Sequence, residues 1–180
     1  ETSHWNPALP VGCASARRKM QFQQLYPEAV IQPVRGNVLT RLEKLDSGEY
    51  GALILAEAGV KRLGLSDRIA YRFSPEELVP AAGQGILAIQ TRAGEYADLL
   101  ARLNSPDGAL CAKTERQLAS LLGGDCSAPV GCHAQLHGTD MTLYGFSGIG
   151  GVPRYGSVQG NRNDADLLVQ QLASKLTITE

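Results

Sequence analysis

No apolar run in this sequence comes near the length of a membrane span. Apolar stretches such as AVI at 29–31 and ALILA at 52–56 fall far short of the roughly 20 residues that a bilayer-crossing helix needs, so no transmembrane helix is expected. Neither sign of charge is in excess: 17 Lys and Arg stand against 18 Asp and Glu, a formal net charge of −1. Attraction of the whole molecule to nucleic acid or to an anionic membrane is thereby excluded, and any function built on charge must be local. Cysteine is scarce, and the irregular spacing of Cys13, Cys111, Cys126 and Cys132 gives neither a disulfide framework nor a paired zinc pattern. A reducing, cytoplasmic compartment is the expectation. The three histidines, His4, His133 and His137, lie at no spacing that suggests a triad or a metal site. Walker, Rossmann and EF-hand patterns are absent, as are internal repeats. The opening ETSHWNPALP has neither the basic nor the apolar region of a signal peptide, and a first residue of Glu rather than Met predicts a piece of a longer protein.

What is present suffices for a packed core. Apolar residues fill 43% of 180 positions and charged ones 19%, a balance that argues against disorder and for one large or two small domains. A short strand or loop at 11–15 leads into a helix over 16–26, with Ser15 as its N-cap and Pro27 closing it. AVIQPV at 29–34 reads as an edge strand or a strand end, because Pro33 cannot donate to a ladder. Asn37 caps a second helix on which Val38, Leu42 and Leu45 recur, and Ser47-Gly48 stops it. GALILA at 51–56 has the continuous apolar character of a strand buried on both faces, and a helix over 57–63 follows. This alternation predicts an α/β sheet with helical crossovers. A Gly-Gln-Gly turn at 83–85 then precedes a third apolar strand at 86–90.

Beyond that point the pattern changes. A helix near 94–103 is followed by Ser105-Pro106, an N-cap with proline at the first helical position, and a second helix running to Leu122. Three alternating segments near 130–136, 141–147 and 154–159 and a last amphipathic helix over about 164–176 complete the chain. A strand meander with flanking helices is an α+β arrangement. The expected division is an α/β domain over 1–93 and a small α+β domain, with a three-stranded antiparallel sheet, over 94–180.

Three features could carry chemistry. Arg17 and Arg18 fall in the first turn of a predicted helix, where the macrodipole disfavours cations. An anion held there by free backbone N–H groups, Ser15 and the guanidinium groups would reverse that penalty. Arg35 and Arg41 flank the start of the next helix, and in an open α/β sheet both loops open at the carboxyl ends of strands, where ligands bind. The four arginines either converge on one polyanion or are scattered, solvated surface charges. Cys126, in LLGGDCSAPVG, sits on a glycine-rich loop where a thiol is accessible; it is a nucleophile, an attachment point or a small turn residue, and Asp125 beside it would raise its pKa. The turn at 81–85 presents Gln84, a donor and acceptor, and is otherwise a hinge.

Taken in order and spacing, VGCASARRKMQ, VRGNVLTRLEKLDSGEYGALILAEAGVKRLGL, LVPAAGQGILAIQTR and LLGGDCSAPVG closely resemble the porphobilinogen deaminases, also called hydroxymethylbilane synthases. The resemblance is strong from residue 11 to about 136 and holds in outline beyond. It implies a transferase of tetrapyrrole and haem biosynthesis that joins porphobilinogen units head to tail into hydroxymethylbilane, releasing ammonia, on a dipyrromethane cofactor bound as a thioether to the cysteine matching Cys126. It further implies that Ser15, Arg17, Arg18, Arg35, Arg41 and Arg62 bind pyrrole carboxylates and that Gln84 lies in the motif joining the first two domains. The catalytic aspartate of the family belongs to a domain preceding these motifs, so no catalytic residue is assigned here and the chain alone is expected to be inactive. The usual Gly-Thr-Ser-Ser-Leu-Arg-Arg run reads GCASARR, with Cys13 and Ala14 in place of two hydroxyl residues. The segment at 86–90 would return to the first domain's sheet and, without it, invites self-association; the full enzyme is expected to be monomeric. Porphobilinogen, oligopyrrole intermediates and the N-terminal domain are the expected partners, with no nucleic acid, membrane or metal. Two competing readings remain: a non-enzymatic carboxylate-binding module, since the α/β part resembles one lobe of the periplasmic, two-lobed solute-binding proteins, and a purely structural or dimerisation fragment.

Overall fold

The computed structural model describes residues 5–124 and 127–177, in a mixed α/β arrangement of six α-helices and two three-stranded sheets. The chain separates into two compact units, one running to Leu78 together with Ser127–Pro129, the other comprising Val79–Cys126 and Val130–Glu180.

The first unit is built on a small parallel sheet. Strands β1 (Val11–Gly12), β2 (Ile31–Gln32) and β3 (Ala52–Leu53) lie in the order β2-β1-β3, with Val11 opposite both Ile31 and Ala52. Helix α1 (Ala16–Leu25) crosses from β1 to β2, and α2 (Val38–Asp46) carries the chain from β2 over to β3. The short α3 (Glu57–Arg62) follows. Both expected N-caps form: Ser15 Oγ accepts the Arg18 N–H, and Asn37 Oδ1 accepts the Thr40 N–H at 2.9 Å. GALILA contributes only two residues to the sheet, and Ala52 and Leu53 are half-buried rather than enclosed on both faces, because β3 is an edge strand. The core gathers Val11, Cys13, Phe22 and Ile54, with Trp5, Tyr26, Ile31, Ala52 and Phe73 packed against it. Gly12 allows this closeness, since a Cβ there would lie 2.5 Å from Leu53 Cδ2.

The second unit is an antiparallel meander covered by helices. Strands β4 (Val130–His137), β5 (Asp140–Ser147) and β6 (Arg154–Asn161) pair in sequence order, with His137 opposite Asp140 across a turn in which Gly138 has φ +64°. Helix α5 (Pro106–Leu121), capped by Ser105, packs on β4, and α6 (Ala165–Leu176) packs on β5 and β6. Gly145, Gly156 and Gly160 let α6 settle close to the sheet: side chains there would meet Leu176 and Leu172, Leu172, and Leu168 respectively. Leu172 and Leu176 are at most 1% exposed and have no room to retreat. Gly145→Ala, whose Cβ would fall 2.5 Å from Leu176 Cδ1, is therefore expected to cost about 1–3 kcal/mol of overpacking. A lower urea midpoint at unchanged m-value checks it.

One expected element does not form. Residues 86–90 are in no strand; Leu87 is 79% and Ile89 59% exposed. An apolar β-segment becomes a strand only when a neighbour completes its ladder, and none of the described residues does so. The helix expected near 94–103 starts later, as α4 (Ala97–Leu103), after Tyr96 in the left-handed conformation.

Candidate functional site

The order β2-β1-β3 places a topological switch point between β1 and β3, because the connections leaving β1 and entering β3 belong to opposite sides of the sheet; ligands of open α/β sheets bind outside the carboxyl ends of strands at such points. The chain leaving β1 there is Cys13-Ala14-Ser15 and the first turn of α1. Ser15 caps the helix through its Oγ, 3.4 Å from the Arg18 nitrogen, and its own carbonyl accepts the Cys13 thiol at 3.6 Å. Arg17 is 5% exposed, an unusual degree of burial for a guanidinium. Arg18 spans the switch point: its Nη1 donates to the carbonyl of Ile54, just past β3, at 3.5 Å. From the other crossover, Arg41 donates Nε to the Gly36 carbonyl at 2.8 Å.

These groups act on one another. Burial pushes the Cys13 thiol above its usual pKa, while its bond to Ser15 and the charges of Arg18, Arg17 and Arg41 pull it back. Burial likewise pushes Arg18 below the usual arginine value, Cys13 opposes this, and the nearby charge of Arg41 adds to the lowering. The charges of Arg17, Arg18 and Arg41 thus all bear on Cys13, which precedes a helix whose first turn holds no acidic residue. Guanidinium forks and helix N–H groups are both suited to holding a carboxylate.

The remaining expected site residues are placed differently. Arg35 is exposed, one residue before the carbonyl that Arg41 grips, and Arg62 is exposed at the end of α3. Arg35, Arg41 and Arg62 form no ion pair with a described residue. Gln84 belongs to the second unit, exposed on a turn whose flanking Gly83 and Gly85 have φ +73° and +91°. Cys126 lies outside the described residues, as do Asp125 and His4. Of the other three cysteines, Cys13 and Cys132 are buried and Cys111 is half-buried.

One residue escaped the reading of the sequence. Glu115 on α5 is 3% exposed and accepts hydrogen bonds from the backbone of both the 81–85 turn and β4. Its signal was its place on the stripe of Cys111, Thr114, Leu118 and Leu122, the face that α5 turns inward.

Comparison with known proteins places these features in one family. Residues 1–99 match the family model described as "Porphobilinogen deaminase, dipyromethane cofactor binding domain", and residues 109–177 match "Porphobilinogen deaminase, C-terminal domain". Among curated relatives named porphobilinogen deaminase, that of Acetivibrio thermocellus is 43% identical over 172 residues, covering 93% of this chain and 58% of the relative. That of Chromobacterium violaceum is 46% identical over 170 residues (92% and 55%), and that of Coxiella burnetii 38% identical over 180 residues (98% and 59%). The chain therefore spans a little over half the length of the relatives it matches.

Proposed function

Because the chain belongs to the porphobilinogen deaminase family, we propose that it is the part of a hydroxymethylbilane synthase that holds the dipyrromethane cofactor and the growing oligopyrrole by their carboxylates. The observation that carries this reading is the gathering of Arg17, Arg18 and Arg41 about Cys13 at the positive end of α1. Pyrrole acetate and propionate side chains suit such a donor set, since each guanidinium offers a planar fork that matches a carboxylate bidentately. Arg17 and Arg18 are fixed by burial and by the Ile54 carbonyl, so they meet the anion preorganised. Arg41, with Nε occupied at Gly36, keeps its two terminal nitrogens for the ligand. Ser15 adds a hydroxyl beside them, and the exposed Arg35 and Arg62 take the outer carboxylates of a lengthening chain. Gln84 acts in the motif that joins the first two domains of the family, and Cys126 carries the thioether.

When bound, the cofactor supplies the end onto which porphobilinogen units are joined with loss of ammonia. The residues of this chain bind and orient; the proton-handling aspartate is assigned, through the family resemblance, to an N-terminal domain, which is the proposed partner along with porphobilinogen itself. The 180 residues alone are expected to bind carboxylates without turnover. Incubation with porphobilinogen, followed by uroporphyrin fluorescence, tests this: no signal is the expected result, and sustained multi-turnover synthesis overturns it. The carboxylate-binding module remains the second reading, because a parallel sheet with an arginine-lined switch point suits any polycarboxylate. It is favoured if the protein binds such anions yet acquires no covalent pyrrole in the presence of a complete deaminase.

A further inference from the structure

Glu115 stands in the third turn of α5, almost wholly enclosed, and its two oxygens are used separately. Oε2 accepts the Gly83 N–H at 2.7 Å, and Oε1 accepts the Ala134 N–H, from the middle of β4, at 2.9 Å. His133 Nδ1 lies 3.3 Å from Oε1, with its ring stacked on Tyr144. No lysine or arginine pairs with this carboxylate among the described residues. Burying a carboxyl group this way is costly, and an apolar residue of similar size would serve α5 better if packing were its only task.

What the carboxylate does is join two stretches of backbone that make no ladder with each other. Just before the turn, Pro80 accepts the Cys132 N–H at 2.8 Å, and Gly131 permits that approach, since a Cβ there would sit 2.9 Å from the Val79 carbonyl. Segment 79–83 is thus held along the start of β4 at two points. After the turn, Leu87 and Ile89 are exposed and unpaired. The turn that presents Gln84 lies between the anchored stretch and the exposed one, and Glu115 grips it through the Gly83 N–H.

We infer that Glu115 is a positioning residue for the 81–85 turn: it fixes the orientation of the backbone that presents Gln84 and the direction in which the 86–90 segment runs on from it. The positional statement stands on geometry; only its bearing on turnover rests on the family reading of Gln84. A carboxylate can accept two N–H groups through two oxygens, whereas an amide has one acceptor and turns an NH2 group toward the other donor. Glu115→Gln must therefore break one of the two bonds.

Amide hydrogen exchange by NMR on the 180-residue protein is the direct test. In Glu115→Gln, exchange at Gly83 or Ala134 is expected to rise by about 10–100-fold, as for loss of a hydrogen bond to a charged acceptor, while Leu143 and Phe146 in β5 change less than about twofold. A uniform rise across the unit, or unaltered protection at both amides, overturns the proposal. If Glu115→Gln does not fold, Glu115→Asp keeps the charge but is one methylene short of spanning both donors, and it is read at the same amides. In the full-length enzyme, Glu115→Gln and Gln84→Ala are expected to be non-additive in kcat, since both remove one positioned group; additive losses overturn the link to Gln84. A Gln84→Ala enzyme with normal kcat sinks the family reading of that residue and leaves the amide result untouched.

Discussion

Cys126→Ser is expected to abolish covalent attachment of the dipyrromethane. Intact mass under denaturing conditions, on protein produced with a complete deaminase pathway, would show the increment of two linked pyrroles in the parent and none in the variant. The chemistry behind this is the gap between a thiol and an alcohol as nucleophiles. A thiol has a reference pKa of about 8.5 and is a strong nucleophile as its anion, whereas a serine hydroxyl stays protonated without a dedicated base. The other thiols are poor substitutes. Cys13 is 4% exposed with its pKa raised by burial, and Cys132 is fully buried in β4. Cys111 on α5 is raised by burial and by the carboxylates of Glu115 and Asp107. A persisting increment in Cys126→Ser would move the attachment to one of these and overturn the assignment.

The second large effect is expected at Arg17 and Arg18. Each guanidinium that donates to a ligand carboxylate contributes about 1.5–3 kcal/mol, so Arg18→Ala should weaken binding of a synthetic dipyrromethane bearing acetate and propionate by about 10–100-fold in titration calorimetry. Arg18→Lys separates charge from geometry: it keeps the charge but loses the fork that reaches both Ile54 and the ligand, and should recover only part of the loss. Arg17→Ala carries a further cost, since its buried stem packs in the first unit, and its fold is to be checked by circular dichroism before binding is read. Arg35→Ala and Arg62→Ala, at exposed positions, should each cost less and lose their effect in salt. Unchanged affinity in Arg18→Ala would remove the basis for placing carboxylates at the switch point.

The capped helices that carry Arg17, Arg18 and Arg41 were legible because their signals are local. Ser15 and Asn37 are strong caps, the helices they open have clear periodicity, and two arginines in a first turn contradict the macrodipole unless something answers them. The antiparallel meander was legible for the same reason, with alternation and glycine-bearing turns marking each strand. What resisted were features that depend on a neighbour. The apolar run at 86–90 describes half of a ladder, and a sequence window cannot say whether the other half is at hand. GALILA is apolar enough for a central strand, yet only the strand order reveals that it lies at an edge. Glu115, between Thr114 and Arg116 in a helix rich in polar residues, looks like an ordinary solvated acid. Its burial follows from which face α5 presents to β4. Gly145, Gly156 and Gly160 look like weak points inside strands until α6 is laid across them.

The only tryptophan of the chain, Trp5, sits edge-on to Tyr26 with ring centroids 4.9 Å apart and lies 5.7 Å from Phe22, which in turn meets Phe73. All of these rings belong to the first unit, while the second has Tyr96, Tyr144, Phe146 and Tyr155 but no indole. Indole emission excited near 295 nm is therefore a private optical channel for the unit that carries the arginines. Ligand that tightens this unit should raise the temperature at which that emission shifts to the red, and the ellipticity of the meander, followed in the same sample, reports whether the two halves melt together or one after the other.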